Sequence, residues 1–154
     1  MEGYRNILCA IDFSPYSQAA VERAAVLARG TDAQLTLLHV VEFFPEDRSN
    51  EQIAPEDTDP AHYRMSRARA GLAEQARRLG EIEAAQEVVV SEHSAKREIV
   101  RFAEERKMDL IVVASHGLHA ISARLLGSTA DGVLHTAPCD VLAVRVDTLE
   151  ARKK

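Results

Sequence analysis

Asp109-Leu110-Ile111-Val112-Val113-Ala114 is an unbroken apolar run of strand length, opened by one carboxylate and followed by the polar Ser115 and His116. A strand with one wet face alternates apolar and polar residues, whereas a run without alternation has both faces covered. Residues 6–11, Asn-Ile-Leu-Cys-Ala-Ile, read the same way. Residues 34–41, Gln-Leu-Thr-Leu-Leu-His-Val-Val, carry the aliphatic and β-branched bias of a further strand.

Between these runs the period turns helical. Ser14 suits an N-cap and Pro15 the first helical position, where its missing N–H costs nothing. Residues 16–29 then place Ala20, Ala24, Leu27 and Ala28 on one face, with Gly30 as the stop. Residues 61–79 form a second helix, rich in arginine at Arg64, Arg67, Arg69, Arg77 and Arg78 and stopped by Gly80; the charge reads as a solvated face. A short strand at 87–90 precedes a helix capped by Ser94, with Ile99, Phe102 and Ala103 at helical spacing. Residues 115–127 are a loop, 128–136 the last helix and 140–146 the fifth strand. Strands alternating with helices predict a single α/β domain: an open five-stranded parallel sheet, helices on both faces, right-handed crossovers. Ligands in such sheets sit beyond the carboxyl ends of the strands, where the strand order reverses. That directs attention to residues 12–14, 40–42 and 114–117. The apolar last strand, Val141, Leu142, Ala143 and Val144, is placed at the sheet edge.

Composition narrows the function. A chain of 154 residues fits one domain, and with 5% aromatic residues and no Trp its core must be aliphatic. A formal charge of −5 argues against nucleic acid, whose phosphates select clustered Lys and Arg. Cys9 and Cys139 read as buried thiols, and no Cys/His spacing suggests a metal. Residues 42–60 hold three of the five prolines, with Glu46, Asp47, Glu51, Glu56, Asp57 and Asp59 against Arg48. Such a segment is an acidic flexible loop within the domain, spanning 1–147, with 148–154 a charged tail. The polar N-terminus runs straight into a strand without a signal peptide, and no apolar run approaches the ~18 residues of a membrane span. The expected location is cytoplasmic, off the membrane.

Chemistry concentrates in Val113-Ala114-Ser115-His116-Gly117 and, after a nine-residue gap, Gly127-Ser128-Thr129. Unbonded amides and the dipole at a helix N-terminus favour an anion, and Ser128 and Thr129 add hydroxyls. The segment is not a P-loop: after Gly127 and Gly132, Val133 and Leu134 stand where Lys and Ser/Thr are required. A loop turn at Gly117 and a tight helix entry at Gly127 would explain the glycines equally well. Asp12 suits either a ligand hydroxyl or Mg²⁺, or a cap on the turn before Ser14. His39 reads as a satisfied core histidine. Ser115 and His116 lack a GxSxG frame, and neighbours on a strand point to opposite faces, so no nucleophile and base are expected there. No catalytic residue and no metal ligand is assigned.

Taken together, Asn-Ile-Leu-Cys-Ala-Ile-Asp-Phe-Ser at 6–14, Leu-Leu-His-Val at 37–40, the 109–113 run, Val-Ala-Ser-His-Gly at 113–117, Leu-Leu-Gly-Ser-Thr-Ala at 125–130 and Ala-Pro-Cys-Asp-Val-Leu-Ala-Val-Arg at 137–145 closely resemble the universal stress protein family. The resemblance covers nearly the whole chain, least in the acidic loop. It implies a Rossmann-like domain that binds adenine nucleotide. ATP-holding members carry Gly-x2-Gly-x9-Gly-Ser/Thr, and the frame falls here on Ala114, Gly117, Gly127 and Ser128. Three positions match; Ala at the first brings a methyl group toward the nucleotide. A second departure is His93-Ser94-Ala95, where the family often has Gly-Asp-Pro. By the resemblance, Ala10, Ile11 and Asp12 flank base and ribose, and Val40 offers backbone groups to adenine. Gly117, Gly127, Ser128 and Thr129 hold phosphates, with Val113, Ala114 and His116 completing the set. Apart from the resemblance, His119 and Arg124 fall in the loop that borders them, where Arg124 suits either a phosphate oxygen or a solvated loop position. The implied ligand is ATP (or AMP or ADP) with Mg²⁺, in a homodimer joined antiparallel through Val141 to Val144, with a regulatory protein partner the sequence does not name. Two rival readings remain: an interaction module that has lost its nucleotide, marked by Ala114, and a slow ATPase.

Overall fold

The computed structural model describes residues 3–43, 59–116 and 126–146. In chain order the elements are β1 (Asn6–Ala10), α1 (Pro15–Thr31), β2 (Gln34–Glu42), α2 (Pro60–Arg78), β3 (Ala84–Ser91), α3 (Ala95–Glu105), β4 (Leu110–Ala114), α4 (Ser128–Thr136) and β5 (Asp140–Val144). The five strands form one parallel sheet in the order β3-β2-β1-β4-β5, as the alternation of periods predicts. β5 lies at an edge, as expected, and β3 at the other.

The unbroken apolar runs have the predicted cause. Ile7, Cys9, Leu37, Leu110 and Val112 pack on one face against Ala20, Ala24 and Ala28 of α1 and Leu72 of α2. Leu8, Leu38, Ile111 and Val113 pack on the other against Ile99 and Phe102 of α3 and Val133 of α4. The small residues of α1 let that helix lie close to the sheet, and burial on both faces supplies most of the driving force.

Helix ends follow the sequence in part. Ser14 Oγ accepts the Ser17 N–H at 3.1 Å, with Pro15 opening α1. Gly30 does not stop that helix; α1 runs to Thr31, and the left-handed residue is Asp32 at φ 55°, whose N–H bonds Ala28 O. Short acidic side chains tolerate this region because they bond locally. Gly80 does adopt φ 66° after α2. Ser94 holds the N-cap place of α3, but its side chain makes no cap bond; Glu42 Oε1 instead reaches the Ala95 N–H at 2.6 Å. β3 is longer than the predicted 87–90, because an edge strand with Ala85 and Gln86 exposed needs no apolar pattern there. β5 ends at Val144 instead of 146. The acidic segment also shrinks at both ends, since Glu42 closes β2 and Pro60 opens α2. Residues 44–58 and the tail lie outside the described residues.

Candidate functional site

The chain runs β1 to β2 to β3 in one direction and then returns to lay β4 on the other side of β1, so the order reverses between β1 and β4. The crevice beyond their carboxyl ends, at this reversal, is where an open α/β sheet has room for a ligand. Three segments border it.

At the exit of β1, the Ile11 N–H donates to Leu38 O at 2.8 Å. The next rung of a parallel ladder would take the Val40 N–H to Ile11 O. His39 takes that carbonyl instead: its Nδ1 lies 2.6 Å from Ile11 O and must carry the proton. Val40 therefore directs its N–H and C=O past the end of β1, across an edge the strand has already left. The side chains of Ala10, Val40 and Val113 are packed into the α3–α4 face of the core, leaving backbone alone to meet a ligand there. Ile11 is buried in the opposite face. The half-buried Asp12 accepts the Ser14 N–H on Oδ1 at 2.9 Å, so it does cap the turn before α1. Phe13 follows at φ 63°. For an aromatic residue this conformation costs about 1–2 kcal/mol, offset by its ring packing 4.6 Å from His39 and against Gly71. A methyl group at Gly71 would stand 2.6 Å from Phe13 Cε1.

At the exit of β4 the alternation argument fails. Ser115 and His116 are past the strand, both buried, and Ser115 Oγ lies 2.9 Å from His116 Nδ1. The imidazole also packs 5.6 Å from the Tyr16 ring, so His116 lies beneath the surface of the crevice. Ala114 packs into the α1 face of the core, which absorbs its methyl group.

The third segment is the start of α4. Gly127 N–H bonds Ser115 O at 2.6 Å, which ties the helix entry to β4. The first intrahelical bond runs from the Asp131 N–H to Gly127 O, leaving the amides of Ser128, Thr129 and Ala130 ahead of it. Among the described residues no side chain caps this end, and Ser128 and Thr129 are exposed. Gly127 sits at φ −62°, open to any residue, so backbone strain does not explain the glycine. Gly117, His119 and Arg124 lie outside the described residues.

Of the two thiols, Cys9 is sealed in the core, where burial pushes it up to about 12. Cys139 is only half-buried, contrary to the sequence reading; burial first and then Asp109 and Asp140 raise its thiol. Among the described residues no group of three or more His, Cys, Asp or Glu could hold a metal ion, and no helix is long and apolar enough to cross a membrane.

Sequence reasoning missed His39 as the residue that removes a ladder rung, and Phe13 as a left-handed aromatic. It also missed a cleft on the α2 side of β2, which encloses about 730 Å³. The one available signal was Gly71, a glycine in the middle of a helical pattern, which calls for a packing reason.

The model of the universal stress protein family matches residues 3–145. Universal stress protein A homolog 1 of Coxiella burnetii is 38% identical over 141 residues, 92% of this chain and 96% of that protein. Among solved structures, the universal stress protein UspA from Lactobacillus plantarum superposes with a TM-score of 0.75 at 25% identity, covering 94% of this chain and all of that one. A universal stress protein crystallised in complex with cAMP gives 0.66 at 27% identity, over 95% of this chain and all of its own.

Proposed function

The chain belongs to the universal stress protein family, and from that premise we propose that it binds an adenine nucleotide in the β1–β4 crevice and acts as a regulatory protein without a catalytic centre. The observation that carries this reading is the missing rung at Val40. Adenine presents a donor and an acceptor side by side, and Val40 offers a C=O and an N–H side by side across an edge that β1 has vacated. The amides of Ser128, Thr129 and Ala130 supply the anion subsite for phosphate. The complex of a related protein with cAMP supports an adenine ligand. The nucleotide we propose is ATP, or AMP or ADP, with Asp12 meeting the ribose or an accompanying Mg²⁺. Ala114 does not block the site in this reading, because its methyl group is absorbed in the core.

The first test is to heat-denature freshly purified protein and identify released nucleotide by mass spectrometry. Adenine nucleotide near one per chain supports the reading. If none is released and calorimetry with millimolar ATP and Mg²⁺ gives no heat, the interaction module replaces it. Slow ATP hydrolysis is the second alternative; phosphate release above a Ser128→Ala control would select it. For the assembly, we read β5 as the seam of a cytoplasmic homodimer, since an edge strand with Val141, Leu142 and Ala143 half-buried invites pairing. Sedimentation showing only a monomer near 17.0 kDa removes that part.

A further inference from the structure

We propose that the cleft between β2 and α2 is a second ligand site, built for a small planar aromatic acid. The cleft lies on the α2 face of the sheet, opposite α4, but Val40 and His39 line it too, so it adjoins the nucleotide crevice and the two readings are told apart by which amides respond to a ligand. At about 730 Å³ the cleft falls within the range of small-molecule sites. Val41, Ala68 and Gly71 give it an apolar lining, and the rings of Phe13 and Tyr63 border it. Phe13 keeps 38% of its surface uncovered, in a left-handed turn that costs free energy to hold. An aromatic ring held that way at the mouth of a cleft is a stacking platform.

The polar groups select an anion. Glu42 carries the carboxylate nearest in the lining, but that group is committed to the Ala95 N–H of α3. Arg64 donates to Glu42 O and lies over the Phe43 ring. Arg67 lies 5.9 Å over the Tyr63 ring and meets no carboxylate among the described residues. A guanidinium over one aromatic face suits a planar acid, stacking on its ring and bonding its oxygens. The His39 imidazole lines the same cleft; with Nδ1 donating to Ile11 O, Nε2 is the ring nitrogen left to meet a polar group of the ligand.

The test uses two dyes of the same aromatic body, the anionic anilinonaphthalene sulfonate and the neutral phenylnaphthylamine, with the full-length chain. The sulfonate is expected to bind once per chain and to shift the backbone amide resonances of Val41, Ala68 and Gly71. Arg67→Gln should weaken it about 10-fold and leave the neutral dye unchanged. Tyr63→Ala should weaken both, and Arg69→Gln, an exposed control on the same helix, neither. Absence of binding, equal sulfonate affinity in wild type and Arg67→Gln, or shifts centred on Gly127, Ser128 and Thr129 would overturn the proposal.

Discussion

The two ends of this sheet treat their loose backbone groups differently. At the amino ends of the strands, both Asp109 carboxylate oxygens are in use, accepting the Arg5 N–H at 2.8 Å and the Asn6 N–H at 3.1 Å. The Asp109 N–H bonds Asn6 O, the Gln34 N–H bonds Arg5 O, and the Tyr4 hydroxyl donates to Asp140 at 2.8 Å. At the carboxyl ends a side chain has displaced a ladder rung, an aromatic residue sits in a left-handed turn, and the first amides of α4 meet no side-chain cap among the described residues. Satisfied polar groups stabilise a fold, whereas unsatisfied ones at a surface crevice are held ready for something else. The contrast assigns the first end to stability and the second to binding.

The sharpest way to break that assignment is Ser128→Asp. A carboxylate at the start of α4 favours the helix dipole but repels phosphate, so ATP affinity should fall about 100-fold with stability unchanged or slightly raised. Calorimetry and urea unfolding on one preparation check both halves. Asp109→Ala should do the reverse, costing about 2 kcal/mol in urea unfolding while leaving nucleotide affinity intact. Between the two ends, Cys9 tests the sealed middle of the sheet. Its folded thiol lies at about 12 against an ordinary 9.0, so the proton is held more tightly in the folded state. The stability it contributes is complete below pH 9.0 and is lost as pH rises toward 12. By pH 10.5 the loss should be about 2 kcal/mol, seen as a shallower alkaline limb in Cys9→Ala. The smallest effect is expected at His39→Leu, which frees Ile11 O to accept the Val40 N–H. Stability should hardly change, and nucleotide affinity should fall about 10-fold if the missing rung reads the base.

The layered fold was legible because burial on both faces erases alternation in the strand and because Ser14, Pro15 and Gly80 mark helix ends through local chemistry. The signals failed where structure is set by distant neighbours. Asp32 took the left-handed position that Gly30 suggested. Phe13 adopted one that no aromatic residue advertises, held by His39 and by a glycine far along the chain. Ser115 and His116 were misjudged because the alternation rule ends with the strand, one residue earlier. At the candidate site the positions of Val40, Ser128 and Thr129 were readable from motifs; the geometry that makes Val40 available was not.

The central place of β1 has a consequence for how the protein is made. β1 leaves the ribosome before both its neighbours: it pairs on one side with β2, made soon after, but on the other with β4, where Ile7, Leu8 and Cys9 meet Leu110, Ile111 and Val112. About 70 residues separate the synthesis of the two neighbours, several seconds at roughly 5–20 residues per second. Through that interval a nascent chain carries one bare edge on an apolar strand, next to the half of the core that α1 has already begun to cover. Release from the ribosome before Asp109 emerges would yield a fragment with both an open edge and an exposed core, the form most in need of a chaperone.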